Sequence, residues 1–262
     1  MSLELSTMLS DKIQAMSESA TIKMAQKARE LAAKGVKVIS LSLGEPDFDT
    51  PQHIKDAAVE GLAKGFTKYT PVSGLAELKK AIVGKFKREN GLDYTEKEIV
   101  VSTGAKQSIA NVVLSLVNPG DEVIIFAPYW VSYLEIVKFA GGIPVIISGS
   151  IDQDFKVSAQ QVADAITDKT KLIMFSSPCN PTGSLFSAEE LEAIAQVVLQ
   201  HDNIIVMSDE IYEHINFVGA HASIAQVPGM KEITALINGF SKGYSMTGWR
   251  LGYMAAPQWL AA

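Results

Sequence analysis

The 262-residue sequence is 47% apolar and 20% charged, with a formal net charge of −6. This is the balance of a soluble globular chain, without the basic footprint that nucleic acid or an anionic membrane surface requires. Cys179 is the single cysteine, which excludes an intrachain disulfide and fits a reducing, cytoplasmic setting. The N-terminus "MSLELSTMLSDKIQAMSES" has no cationic start followed by an apolar run, and no apolar run approaches about 18 residues, so neither a signal peptide nor a membrane span is expected.

In chain order, residues from about Ala20 to Lys34 read as an amphipathic helix stopped by Gly35. "VKVISLSLG" reads as a strand. "PQHIKDAAVEGLAKG" is helical with Pro51 in its first turn, and "GLAELKKAIVGKFKREN" is a helix ending at Gly91. Regular alternation follows. "EIVVST", "EVIIFA", "IPVIIS", "KLIMFSS", "NIIVMS", "ITALIN" and "RLGYMAA" read as strands. "KQSIANVVLSLV", "YWVSYLEIVKFA", a segment from about Ser158 to Thr167 and "SAEELEAIAQVVLQH" read as helices. Alternating strands and helices, with several strands apolar throughout, predict an α/β fold with a mostly parallel central sheet covered on both faces.

Ligands of such sheets bind beyond the carboxyl ends of the strands. Four strand ends carry chemistry. Gly104, Ala105 and Lys106 follow the first of them and open a helix. Asn180 lies in "SSPCNPTG". Asp209 and Tyr212 follow "NIIVMS", and Ser241 and Lys242 follow "ITALIN". Singly, each is ordinary turn, cap or surface chemistry. Together they offer a helix N-terminus, an amide, a carboxylate with a phenol, and an amine. That set suits pyridoxal phosphate: an amine to hold the aldehyde, a carboxylate for the ring nitrogen, polar groups for the ring oxygen, and a helix start with the Arg250 fork for the phosphate.

The motifs "SLGEPDFDTP", "KYTPVSGLAELKKAI", "STGAKQSI", "FAPYWVSY", "SSPCNPTG", "SDEIYEH" and "GFSKGYSMTGWRLGY" together resemble the fold-type I, class I aminotransferases, bacterial aspartate aminotransferases above all, over essentially the whole chain. The resemblance implies a three-layer α/β/α large domain and the following roles. Lys242 binds pyridoxal 5'-phosphate and moves the proton, with Asp209 on the ring nitrogen. Tyr212 and Asn180 bind the ring oxygen, and Trp130 stacks on the ring. Gly104, Ala105, Lys106, Ser241 and Arg250 meet the phosphate. Tyr69 reaches the phosphate of a neighbouring subunit, which implies a homodimer with shared sites. Gly44 lies against the substrate carboxylate, with Trp130 and Asn180 also on the substrate side. Lys106 attracts the side-chain carboxylate of an acidic substrate. No metal is implied.

The expected division is residues 1–43 as an N-terminal arm and helix, and 44–262 as the cofactor-binding large domain, incomplete at its C-terminal end. The family's small C-terminal domain, with the arginine that grips the substrate's α-carboxylate, has no counterpart here, so a truncated chain is expected. Gly239 replaces a hydroxyl that some relatives offer to the phosphate. The expected reaction moves an amino group from aspartate to 2-oxoglutarate. Aromatic or prephenate-type substrates, a lyase reaction on the same scaffold, and a non-catalytic cofactor-binding or dimerising fragment are the alternatives.

Overall fold

The computed structural model describes residues 8–17, 20–39, 41 and 44–262. The short helix α1 (Asp11–Gln14) and the helices α2 (Ala20–Ala33), α3 (Gln52–Ala63) and α4 (Ala76–Lys85) come first. Then follow β1 (Ile99–Ser102), α5 (Ala105–Leu116), β2 (Glu122–Ala127), α6 (Ser132–Ala140), β3 (Ile143–Ser148), α7 (Ala159–Ala165), β4 (Thr170–Ser176), α8 (Ala188–Val198) and β5 (Ile205–Asp209). β6 (Thr234–Gly239), β7 (Gly252–Ala255) and α9 (Gln258–Ala261) complete the order.

The strands form one sheet in the order β1-β7-β6-β5-β4-β2-β3. β3, β2, β4, β5 and β6 are parallel neighbours, whereas β7 runs antiparallel to both β6 and β1. Because successive strand residues point to opposite faces, the apolar runs divide into two cores. Val123, Ile125, Leu172, Met174, Met207 and Ile237 pack with α5 and α6. Ile124, Phe126, Ile173, Phe175 and Val206 pack on the other face with Val162 of α7 and Leu191, Ile194 and Val198 of α8. Burial on both faces explains why these strands do not alternate with polar residues. A third cluster, with Ile82, Phe86, Leu92, Ile99, Leu236 and Tyr253, closes the end of the sheet beside β1. The expected three-layer α/β/α arrangement is the one observed.

Local sequence sets the helix ends. Ser158 and Ser187 cap α7 and α8 through capping boxes with Gln161 and Glu190, a device whose loss typically costs about 1 kcal/mol. Three expectations need correction. The strand expected over residues 36–44 is absent from its described part: Val36–Ile39 is irregular, and Ile39 and Leu41 are exposed. Ser40, Ser42 and Leu43 of that stretch, like residues 1–7 of the N-terminal arm, lie outside the described residues. The helix expected to reach Asn90 stops at Lys85 and widens into a π turn over Phe86–Asn90, closed by Gly91 in the left-handed region at φ 65°. The helix expected from Tyr129 begins at Ser132 and leaves Trp130 in the loop before it. Among the described residues no helix is long and apolar enough to cross a membrane.

Candidate active site

The C-terminal ends of β4, β5 and β6 share one edge of the sheet because these strands are parallel. β7 runs the other way between β6 and β1, so β1 also ends at this edge and β7 begins there. The turn into α5 and the whole β6–β7 connection therefore stand at one place. A cleft of about 600 Å³ opens here, lined by Gly44, Ala105, Lys106, Trp130, Asn180, Asp209, Tyr212, Ser241, Lys242 and Arg250. All ten were expected from sequence, and they come from segments far apart in the chain. Three cations and one carboxylate face the cleft in a chain of net charge −6, a local excess that favours an anionic small molecule.

Asp209, the last residue of β5, is buried. Tyr133 Oη of α6 donates to its Oδ2 at 2.6 Å, and the Ile211 N–H donates to its Oδ1 at 3.2 Å. Burial pushes its pKa up to about 6; the two hydrogen bonds oppose the shift and the Glu210 charge adds to it. A carboxylate so desolvated and so firmly oriented is prepared for a cationic or N–H partner.

Across the cleft Asn180 Nδ2 reaches Tyr212 Oη at 3.5 Å. Burial and the Asp209 charge raise the Tyr212 pKa, so the phenol remains a proton donor at neutral pH. Lys242 Nζ donates to Gly44 O at 2.5 Å and lies 5.6 Å from the centre of the Tyr212 ring. Its proton affinity is lowered, first by burial and then by the Arg250 charge, with Glu45 opposing. Gly243, next in the chain, is held small by His214: a Cβ there would meet the ring at 3.0 Å.

The remaining wall belongs to β1, α5 and the β6–β7 connection. The Ser102 hydroxyl donates to Gly104 O at 3.0 Å and shares a 2.6 Å hydrogen bond with Ser108, which fixes the turn into α5. Gly104 has φ 83°, and a Cβ on it would collide with the Arg250 guanidinium. Arg250 itself sits in the left-handed region at φ 56°, and its Nη1 donates to Thr247 O at 2.8 Å. A fixed guanidinium thus faces the start of a 12-residue helix, α5, a combination that binds phosphate-like groups. Lys106 Nζ lies 4.8 Å from the centre of the Trp130 ring; partial burial and the Arg250 charge lower its proton affinity.

Two expected residues stand apart. Gly104 sits beneath Arg250 rather than in the cleft lining, and Tyr69 is fully exposed, away from the cleft of its own chain. At Gly239 a Cβ would come within 2.9 Å of Gly252 Cα, so β6 admits no side chain there; Ser241 is the hydroxyl of this segment that lines the cleft. Sequence reasoning missed Tyr133, Ser176 and Thr247, which also line the cleft. Tyr133 is three positions beyond Trp130, the sole signal that could have singled it out.

Comparison with known proteins places these features in context. Residues 36–262 match the family model "Aminotransferase class I and II". An aspartate aminotransferase of Bacillus sp. (strain YM-2) is 50% identical over 95% of this chain and 64% of its own length. An aspartate/prephenate aminotransferase of Nitrosomonas europaea is 49% identical over 95% of this chain and 63% of its own. Among solved structures, the Thermus thermophilus aspartate aminotransferase with maleate superposes with a TM-score of 0.93 at 45% identity, over 97% of this chain and 65% of that one. The chain thus spans a little under two thirds of the length of these relatives. With a family match over most of its length and half its residues shared with a curated member, the chain belongs to the class I and II aminotransferases.

Proposed function

We propose that this chain carries the cofactor-binding part, residues 44–262, of a cytoplasmic pyridoxal 5'-phosphate-dependent transaminase, with residues 1–43 as an N-terminal arm. The reaction is amino transfer from aspartate to 2-oxoglutarate. The carrying observation is that Lys242, in the turn after β6, and Asp209, at the end of β5, face one cleft that also holds Arg250 near the start of α5. An amine, a buried carboxylate and an anion-binding helix start form the donor set that this cofactor requires, so the residues fit it.

Arg250, Ser241 and the α5 start at Gly104, Ala105 and Lys106 hold the phosphate, and Trp130 covers the ring. Tyr212 and Asn180 donate to the ring oxygen, and Asp209 pairs with the ring nitrogen, a charge-assisted hydrogen bond of about 1.5–3 kcal/mol. When bound, the cofactor supplies an electrophilic carbon and an electron-accepting ring. Lys242, whose lowered proton affinity favours the free amine, takes the proton from the substrate Cα; positioned proton transfer of this kind is worth about 10²–10⁴ in rate. Gly44 borders the substrate's carboxylate, and Lys106 attracts a second carboxylate on an acidic substrate. Exposed Tyr69 reaches the phosphate of a second copy, which makes the working unit a homodimer. The name of the Nitrosomonas europaea relative favours prephenate as a second amino acceptor.

The test is the visible absorption spectrum of the chain with added pyridoxal phosphate, before and after aspartate. A new band that changes on adding aspartate, and is abolished by Lys242→Ala, is expected. The same band in Lys242→Ala would refute the assignment of the amine.

A further inference from the structure

Behind the cleft lies a second set of buried charges. Asp209 and Glu210 are consecutive and nearly inaccessible. Strand alternation sends their side chains to opposite faces of the sheet, Asp209 to the cleft and Glu210 away from it. The Glu210 backbone is tied to β6 by its N–H, 2.8 Å from Ile237 O. Its carboxylate accepts from Ser208 Oγ at 3.1 Å and Ser223 Oγ at 2.7 Å, both on Oε1, while His221 Nε2 lies 3.0 Å from Oε2. Ser208 and Ser223 bring no charge. The other ring nitrogen of His221 has no hydrogen-bond partner among the described residues, so the ring's polar hold is through Glu210.

The surroundings define the charge state. Glu213 approaches the same group: its carboxylate and the ligand atoms of Glu210 and His221 lie within 4.8 Å of one another. Glu213 is ion-paired with Lys85 at the end of α4, whose Nζ also donates to Asn90 Oδ1 at 2.8 Å. Glu89 and His214 sit at the outer rim of this pair. Burial holds the phenols of Tyr94 and Tyr253 neutral. Two buried carboxylates therefore meet Lys85 and the His221 ring, and Lys85 is ion-paired with Glu213. An unpaired buried carboxylate is expensive, and among the described residues His221 is the ion-pair partner of Glu210.

We propose that His221, as an imidazolium, is the counter-ion of Glu210 and through it a positioning residue for Asp209. It cancels the negative charge directly behind the site carboxylate and holds the β5 end in register. Burial alone would lower the proton affinity of the ring, but Glu210, with Glu213 behind it, reverses this and raises it above the ordinary histidine value. Loss of the cation leaves a bare negative charge adjacent to Asp209, which then binds its proton more tightly. The pairing is independent of the cofactor reading; its effect on the site rests on that reading.

The experiment has two parts. Histidine ring resonances of the cofactor-free chain, which has four histidines, are titrated by NMR; the signal lost in His221→Asn identifies the ring. It is expected to titrate above about 6.5, the ordinary value, and to fall by about one pH unit or more in Glu210→Gln. A His221 signal at the ordinary value, or one that Glu210→Gln leaves in place, overturns the proposal. The pH dependence of the bound pyridoxal phosphate spectrum is then compared among variants. His221→Asn is expected to move the acid transition upward by about half to one pH unit, and His221→Asn with Glu210→Gln to restore it. Unmoved transitions in all variants overturn the positioning role. Failure of every variant and the parent chain to bind cofactor instead refutes the cofactor reading, while the NMR result still decides the pair.

Discussion

Asp209 shows how a single residue carries both function and its cost. Its carboxyl has a folded pKa of about 6 against about 3.9 unfolded. Below both values the group is protonated in both states and contributes nothing. As pH rises between them the unfolded chain releases its proton first, so stability is lost, by roughly 3 kcal/mol at most once pH exceeds about 6. Asp209→Asn keeps an acceptor for Tyr133 Oη and removes the charge. In the cofactor-free chain it is expected to exceed the parent in stability at pH 7–8 and to match it near pH 4, as read by urea unfolding. Equal stabilities at both pH values would show that the buried charge costs nothing. The site residues themselves were legible because most of them sit at, or a few positions after, the end of an apolar strand. Tyr133 was not, since its partner Asp209 lies 76 positions away and no local pattern links an α6 phenol to the end of β5.

At the scale of elements, the apolar runs identified every strand of the sheet; in the central strands β2, β4, β5 and β6, burial on both faces leaves little room for polar residues. Direction was another matter. Side-chain alternation is the same read either way along a strand, so nothing in "RLGYMAA" announced that β7 is antiparallel. The strand expected over 36–44 fails in its described part for the opposite reason: β-branched residues suit a strand, but Ile39 and Leu41 are exposed and join no strand of the sheet among the described residues. What the pattern also hid is the closeness of β7 to the start of α5. A Cβ on Gly252 would lie 2.6 Å from Gly104 C and 3.0 Å from Ala105 Cα, both backbone atoms. Gly252→Ala is therefore expected to destabilise the chain by about 1–3 kcal/mol and to weaken pyridoxal phosphate binding by displacing the helix start. Denaturant unfolding and a cofactor titration measure both; a variant within 0.5 kcal/mol of the parent would show that the contact is soft.

At the scale of the whole molecule, several large apolar side chains lie outside the described core. Phe48, Phe66, Tyr69 and Val72 stand in solvent, together with Ile39 and Leu41, and exposed apolar surface of this kind is what an interaction site uses. The homodimer proposed above would cover it. Sedimentation velocity is expected to show concentration-dependent association, weakened roughly tenfold or more by Phe66→Ser with Val72→Ser. A monomer at every concentration would remove the shared-site role of Tyr69.

The reversed strand β7 also sets an order of events. β1 has no other neighbour in the sheet, so the earliest strand of the sheet to be synthesised waits for the latest before it can pair. Long-range closure of this kind is slow. α5 follows β1 after two residues, and Arg250 lies two positions before the start of β7. The anion-binding wall therefore matures late, after the parallel strands whose ends position Asn180, Asp209 and Lys242 have assembled. A chain in which β7 has not yet docked would already hold the amine and the carboxylate, yet lack the Arg250 guanidinium that faces the start of α5.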